Sequence, residues 1–155
     1  MIFVVDGMLG KLAKWLRILG FDVLFLPAPD SEILAAARRE GRALLTRDHE
    51  LIRRARGLAA LLIESEDWED QVRQVLSRFD LSSEAAPFSR CLECNALLKP
   101  VAKADAAPLA PFHVASTSPE FSLCPVCGRM FWPGTHHADM RAKVEVLLAK
   151  PVDRG

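Results

Sequence analysis

Met1-Ile-Phe-Val-Val-Asp6-Gly7-Met-Leu-Gly10-Lys-Leu-Ala-Lys-Trp-Leu-Arg17-Ile-Leu-Gly20 is the stretch that decides the fold. Ile2 to Val5 is a short apolar run, the pattern of a strand covered on both faces. Asp6 is the first polar residue after it and so falls at the carboxyl end of that strand. Gly7 and Gly10 permit a tight turn. Leu9, Leu12, Ala13, Leu16 and Leu19 then recur at helical spacing, with Gly20 as a stop. Lys11, Lys14 and Arg17 lie on another stripe of the same helix. A carboxylate at a strand end beside a basic helix points to metal and phosphate chemistry.

The same rhythm continues outward. Val23–Leu26 reads as a second strand, and Asp30-Ser31-Glu32 opens a helix that runs to about Glu40. Ala43–Thr46 reads as a third strand, His49 to Arg56 as a short basic helix and Leu58 to Ile63 as a fourth strand. Trp68, Val72, Val75, Leu76 and Phe79 mark an amphipathic helix. Four alternations with short connections predict an α/β domain over residues 1–80, a parallel sheet with helices on both faces. Composition shifts over residues 81–89, which read as a linker. Residues 90–150 hold all four cysteines, an Ala- and Pro-rich loop over Ala102–Pro119 and a terminal helix over Thr135–Lys150.

Half of the 155 residues are apolar and 26% are charged, which supports a packed core and argues against global disorder. The formal net charge is zero, so nucleic-acid binding has to rest on local patches. No apolar run reaches the length of a membrane span. The N-terminal apolar run is too short for a signal peptide and is cut by Asp6. The expected location is the cytoplasm, where paired cysteines read as a metal site rather than disulfides.

Ligands of open α/β sheets bind at the carboxyl ends of the strands. Asp6 follows the first strand, Asp30 and Glu32 the second, Asp48 the third, and Glu64 with Glu66 and Asp67 the fourth. Carboxylates gathered on one edge repel unless a divalent cation neutralises them, and hard oxygen ligands suit Mg²⁺ or Mn²⁺. Such a site can activate a water and stabilise charge developing on a phosphodiester. The competing reading of Asp30 and Asp48 is helix capping; that of Lys11, Lys14 and Arg17 is a solvated helix face. Thr46 either hydrogen-bonds an acid or merely suits a strand.

Cys91-Leu-Glu-Cys94-Asn95 and Cys124-Pro-Val-Cys127-Gly128 are two knuckles of one type. Asn95 and Gly128 tolerate the left-handed backbone that such turns need. Four thiolates make a closed, structural zinc site. Arg90, Lys99, Lys103 and Arg129, with Phe131 and Trp132, either form a nucleic-acid surface or pack the ribbon.

Taken together, Asp6 to Gly20, Thr46-Arg47-Asp48, the two knuckles with Arg90 before the first, and Phe131-Trp-Pro-Gly-Thr-His136 resemble the Mut-seven C-terminal RNase domain family. The resemblance implies a PIN-like three-layer α/β/α domain followed by a zinc ribbon, and a metal-dependent ribonuclease. It matches Asp6, Asp30 and Asp48 to the acidic positions that would hold Mg²⁺ or Mn²⁺. Cys91, Cys94, Cys124 and Cys127 match the Zn²⁺ ligands. Glu64 and its neighbours are the available fourth acid. The expected substrate contacts are Lys11, Lys14, Arg17, Thr46 and Arg47, and the expected partner is RNA, with a protein partner or a homo-oligomer also open. The alternatives are a non-catalytic RNA- or protein-binding module and a receiver-like phosphoacceptor domain.

Overall fold

The computed structural model describes residues 1–106, 121–132 and 137–149. The chain divides into two compact units, Met1–Phe88 and Ser89–Gly155. In the first, strands β1 (Ile2–Asp6), β2 (Asp22–Leu26), β3 (Ala43–Thr46) and β4 (Ala60–Leu62) alternate with helices α1 (Gly10–Ile18), α2 (Asp30–Glu40), α3 (His49–Arg54) and α4 (Trp68–Phe79). The four strands form one parallel sheet in the order β2-β1-β3-β4.

Handedness then sets the layers. The chain moves from β1 to β2 in one direction and from β2 past β1 to β3 in the other. Right-handed crossovers therefore put α1 on one face and α2 and α3 on the opposite one. Packing agrees: Val4 and Leu44 of the sheet meet Ile33, Leu34 and Ala37 of α2 and Leu51 of α3 in one buried cluster. Phe3, pointing the other way, meets Phe21 edge-on at 6.2 Å and Phe79 of α4 at 5.8 Å between ring centroids. On that same side Trp15 of α1 stacks on Trp68 of α4 at 4.4 Å.

Helix α3 and strand β4 are shorter than their apolar pattern predicts. Ala55 donates back to Ile52 and Leu58 to Ala55, a tight turn that takes residues 55–58 out of both elements. Ala55 and Leu58 instead join the α2–α3 core cluster. The segment after α4, read as a linker, folds back on the same unit: Ala86 and Phe88 donate to the carbonyls of Leu19 and Ile18, both at 2.8 Å. Those carbonyls lie at the end of α1, where the helix itself supplies no donors.

The second unit has an antiparallel sheet of β5 (Lys99–Val101), β6 (Phe121–Leu123) and β7 (Met130–Phe131), in that order. Its small core is Phe121, flanked by Val101, Met130 and Trp132. A short helix, α5 (Lys103–Ala106), follows β5, and residues 107–120 of the expected loop lie outside the described residues. Helix α6 (His137–Leu148) buries Val144 and Leu147, as its spacing predicts. Residues 133–136, which end the Phe131 motif and begin the expected helix, are also outside the described residues, as is Lys150. No helix among the described residues is long and apolar enough to cross a membrane.

Candidate functional site

The strand order places a switch point between β1 and β3, where the chain's direction across the sheet reverses. Crevices at such points are the ligand sites of open α/β sheets. Asp6 ends β1 there and is buried, at 6% exposure. Thr46 ends β3 beside it and is fully buried. The Thr46 hydroxyl donates to Asp6 Oδ2. Its oxygen accepts the backbone N–H of Asp48 at 3.0 Å. Asp6 Oδ1 accepts the Met8 N–H at 3.0 Å, which closes the turn after β1. A Cβ at Gly7 would lie 3.0 Å from Pro27 Cβ, a contact that a side chain there could take only if the proline shifted.

Asp48 does two things. Its Oδ1 accepts from Glu50 N at 2.8 Å and Leu51 N at 3.4 Å, which makes it the N-cap of α3. Its backbone is tied through Thr46 to Asp6, so one hydrogen-bonded chain links the two acids. Capping therefore holds for Asp48, and the cap is built at the sheet edge beside Asp6.

Asp30 is placed differently. It is the first residue of α2 rather than its cap, which is Pro29, and makes no capping bond. Its carboxylate pairs with Arg54 of α3 at 3.5 Å. Strands β2 and β3 flank β1, about 10 Å apart at ordinary strand spacing. Asp30 follows β2 and Asp48 follows β3, the two strands that flank the β1 strand of Asp6. Among the described residues, the one group of three or more His, Cys, Asp or Glu side chains placed to share an ion is the four cysteines. The fourth-strand acids are dispersed: Glu64 is exposed, and Asp67 caps α4 through Glu69 N at 2.8 Å.

The basic residues of α1 divide. Arg17 donates through Nε and Nη2 to the Val23 carbonyl at 3.1 and 2.8 Å, on the edge strand β2. Lys11 lies 5.3 Å from the Trp68 ring centroid in a cation–π contact. Lys14 is exposed, and Arg47 is half-buried between Thr46 and Asp48. Sequence reading did not anticipate the Gln71 and Gln74 clamps, which donate to Ser65 and Leu62 carbonyls at 2.8 and 2.9 Å and hold the β4–α4 connection. Their only local signal is a Gln pair three residues apart on the buried side of an amphipathic helix.

In the second unit the four cysteine sulfurs lie within 4.8 Å of one another, with Cys91 and Cys127 at 3.9 Å. A tetrahedral ion with Zn–S bonds of about 2.3 Å requires sulfurs roughly 3.8 Å apart, so the cysteines can hold zinc. The knuckles repeat one geometry. Asn95 N donates to Cys91 O and Gly128 N to Cys124 O, both at 2.9 Å. Asn95 and Gly128 have φ of 66° and 75°, the left-handed turn expected. Backbone N–H groups of Cys127 and Val126 draw the Cys124 thiol down to about 7. Hydrogen bonding to Cys127 pushes Cys94 up to about 12, and burial pushes Cys91 up. Around this site Arg90 donates to Asn95 O at 2.8 Å, Arg129 pairs with Glu93 at 3.7 Å, and Trp132 packs on Phe121. These contacts are the packing alternative for three of the residues considered as a nucleic-acid surface.

No curated protein and no solved structure matches the chain significantly. The profile of the Mut7-C RNAse domain matches residues 1–144, nearly the whole chain. With the acids of two adjacent strand ends joined through Thr46 and a four-cysteine site built from two like knuckles, the chain belongs to the Mut7-C RNAse domain family.

Proposed function

We propose that the first unit is a PIN-like ribonuclease dependent on Mg²⁺ or Mn²⁺, and that zinc in the second unit is structural. The observation that carries this reading is the Asp6–Thr46–Asp48 chain at the switch point, in a chain of an RNase domain family. Asp6 and Asp48 are the proposed ligand pair, and their hard oxygens suit either ion. When bound, such an ion would supply an activated water and neutralise charge on the phosphodiester. Thr46 orients the Asp6 carboxylate and anchors the Asp48 backbone, so both acids are held before any ligand arrives. Asp30 is the third acid of the proposal, and its contribution competes with the ion pair to Arg54. Arg47 and Lys14 are the basic side chains nearest in sequence to this edge that make no structural bond of the Arg17 kind.

The test is cleavage of single-stranded RNA with Mn²⁺ or Mg²⁺, with EDTA as control. Asp6→Asn should abolish cleavage while the melting curve shows a folded protein. Metal-independent cleavage, or full activity in Asp6→Asn, would remove the site. RNA binding without cleavage under all conditions would leave the binding-module alternative.

A further inference from the structure

The neutral net charge conceals a strong polarity within the first unit. Residues 38–56 carry seven arginines against three acids, whereas residues 64–84 carry seven acids against two arginines. Of these, Arg38 and Arg39 of α2 and Arg53 and Arg54 of α3 belong to helices on one face of the sheet, and Glu69 and Asp70 of α4, which packs with α1, to the other.

On the α2–α3 face the arginines are brought together. Arg38 Nη2 reaches the Arg54 carbonyl at 3.4 Å, across the line where the two helices meet. Arg39, Arg53 and Arg56 are exposed nearby in sequence. Three of these arginines have exposed carboxylate partners: Arg39 with Glu40 at 3.7 Å, Arg53 with Glu50 at 2.8 Å and Arg54 with Asp30 at 3.5 Å. Exposed pairs of this kind are weak and readily exchanged for another anion. Arg38 and Arg56 have no carboxylate partner among the described residues.

The arginines also stand in a useful place. Asp48 caps the start of α3, and the arginines gather at its far end. Six residues at about 1.5 Å each make a helix roughly 9 Å long. We infer that the phosphate backbone of single-stranded RNA crosses the α2–α3 face, with Arg38 and Arg56 as its main contacts, while the acidic β4–α4 side repels it. This inference rests on the ribonuclease reading for the identity of the ligand. It places the substrate track on a different helix pair from the basic stripe of α1.

The test compares two double variants that remove the same charge, both in an Asp6→Asn background so that RNA stays intact. One is Arg38→Gln with Arg56→Gln. The other is Arg73→Gln with Arg78→Gln, on the acidic side. The probe is a short fluorescein-labelled single-stranded RNA titrated over a salt series by anisotropy, with melting curves to verify folding. Single-strand binding loses about 0.7 from the log–log salt slope per phosphate contact. The Arg38/Arg56 variant should therefore bind more weakly, with a slope lower by about 1.4 from two contacts, and the Arg73/Arg78 variant should match its parent. Equal losses in both would mean that bulk charge alone acts, and no loss in the first would mean that RNA runs elsewhere or that the face docks an acidic protein; each overturns the inference. Cleavage by the chain with Asp6 intact is scored separately. Arginine-dependent binding without cleavage would sink the nuclease reading alone, and cleavage without arginine dependence would sink this one alone.

Discussion

Thr46→Val is the sharpest probe of the candidate site, because Val keeps the shape of Thr and removes only the hydroxyl. Thr46 is fully buried and its hydroxyl makes two bonds, donating to Asp6 and accepting from Asp48 N. Losing a hydrogen bond to a charged group costs about 1.5–3 kcal/mol, and a buried N–H left without an acceptor costs about 1–3 kcal/mol. Val suits a strand and needs no desolvation of a hydroxyl, which offsets roughly 1 kcal/mol. The net loss should be about 3 kcal/mol. For a unit of this size each kcal/mol shifts Tm by about 4–8 °C, so Tm should fall by roughly 10–25 °C. Thr46→Ser keeps both bonds and loses one methyl, about 1 kcal/mol. Urea unfolding of the zinc-loaded chain, followed by the fluorescence of the Trp15–Trp68 stack, measures both variants. If Val and Ser variants agreed within about 0.5 kcal/mol, the hydroxyl would not be holding the two acids and the reasoning would fail. A second readout separates stability from function. Mg²⁺ should stabilise the parent protein by mass action and stabilise Thr46→Val less, since Asp6 has lost its orienting donor.

Asp48→Asn should keep the α3 cap and Asp48→Ala should lose about 1 kcal/mol with it, while both lose the melting response to Mg²⁺; a surviving response in either takes Asp48 out of the ion site. Gly7→Ala should destabilise the first unit by about 1–3 kcal/mol in urea titrations, because the added Cβ would sit 3.0 Å from Pro27 Cβ and 3.1 Å from its Cα; a neutral effect would mean that the turn shifts freely. Zinc uptake by metal-free protein at pH 7 should release protons, since Cys94 and Cys91 hold theirs above the usual thiol range and must lose them to bind. Affinity should accordingly rise with pH and fall as pH falls, which calorimetry in buffers of different ionisation enthalpy reads directly. Chelation, or Cys124→Ser, should expose residues after Ser89 to proteolysis and spare the sheet of the first unit; equal cutting of both would refute independent units.

Several features were legible because they are local. The apolar run Ile2–Val5, the stops after it and the helical spacing from Leu9 to Leu19 follow from the chemistry of neighbouring residues, and β1 and α1 form where they predict. The cysteine knuckles were legible for the same reason: two residues between thiols and a residue tolerant of positive φ specify a turn whatever surrounds it. Strand-end placement also located Asp6 and Asp48 at one edge.

Other features depend on which strands become neighbours. Strand order is a nonlocal choice, and by setting β1 beside β3 it brings Thr46 into contact with Asp6 across 40 residues. Arg17 and Lys11 look alike on a helical wheel, yet one meets the edge carbonyl of Val23 and the other an indole from α4. The arginines of α2 and α3 are ordinary surface charges in sequence, and the packing of two helices on one face makes them a patch. Sequence by itself determined most of the elements, the four cysteines that could hold zinc and the list of acids. Tertiary structure decided which of those acids share a hydrogen-bonded chain, because that depends on the distance between strand ends, which short-range spacing does not encode.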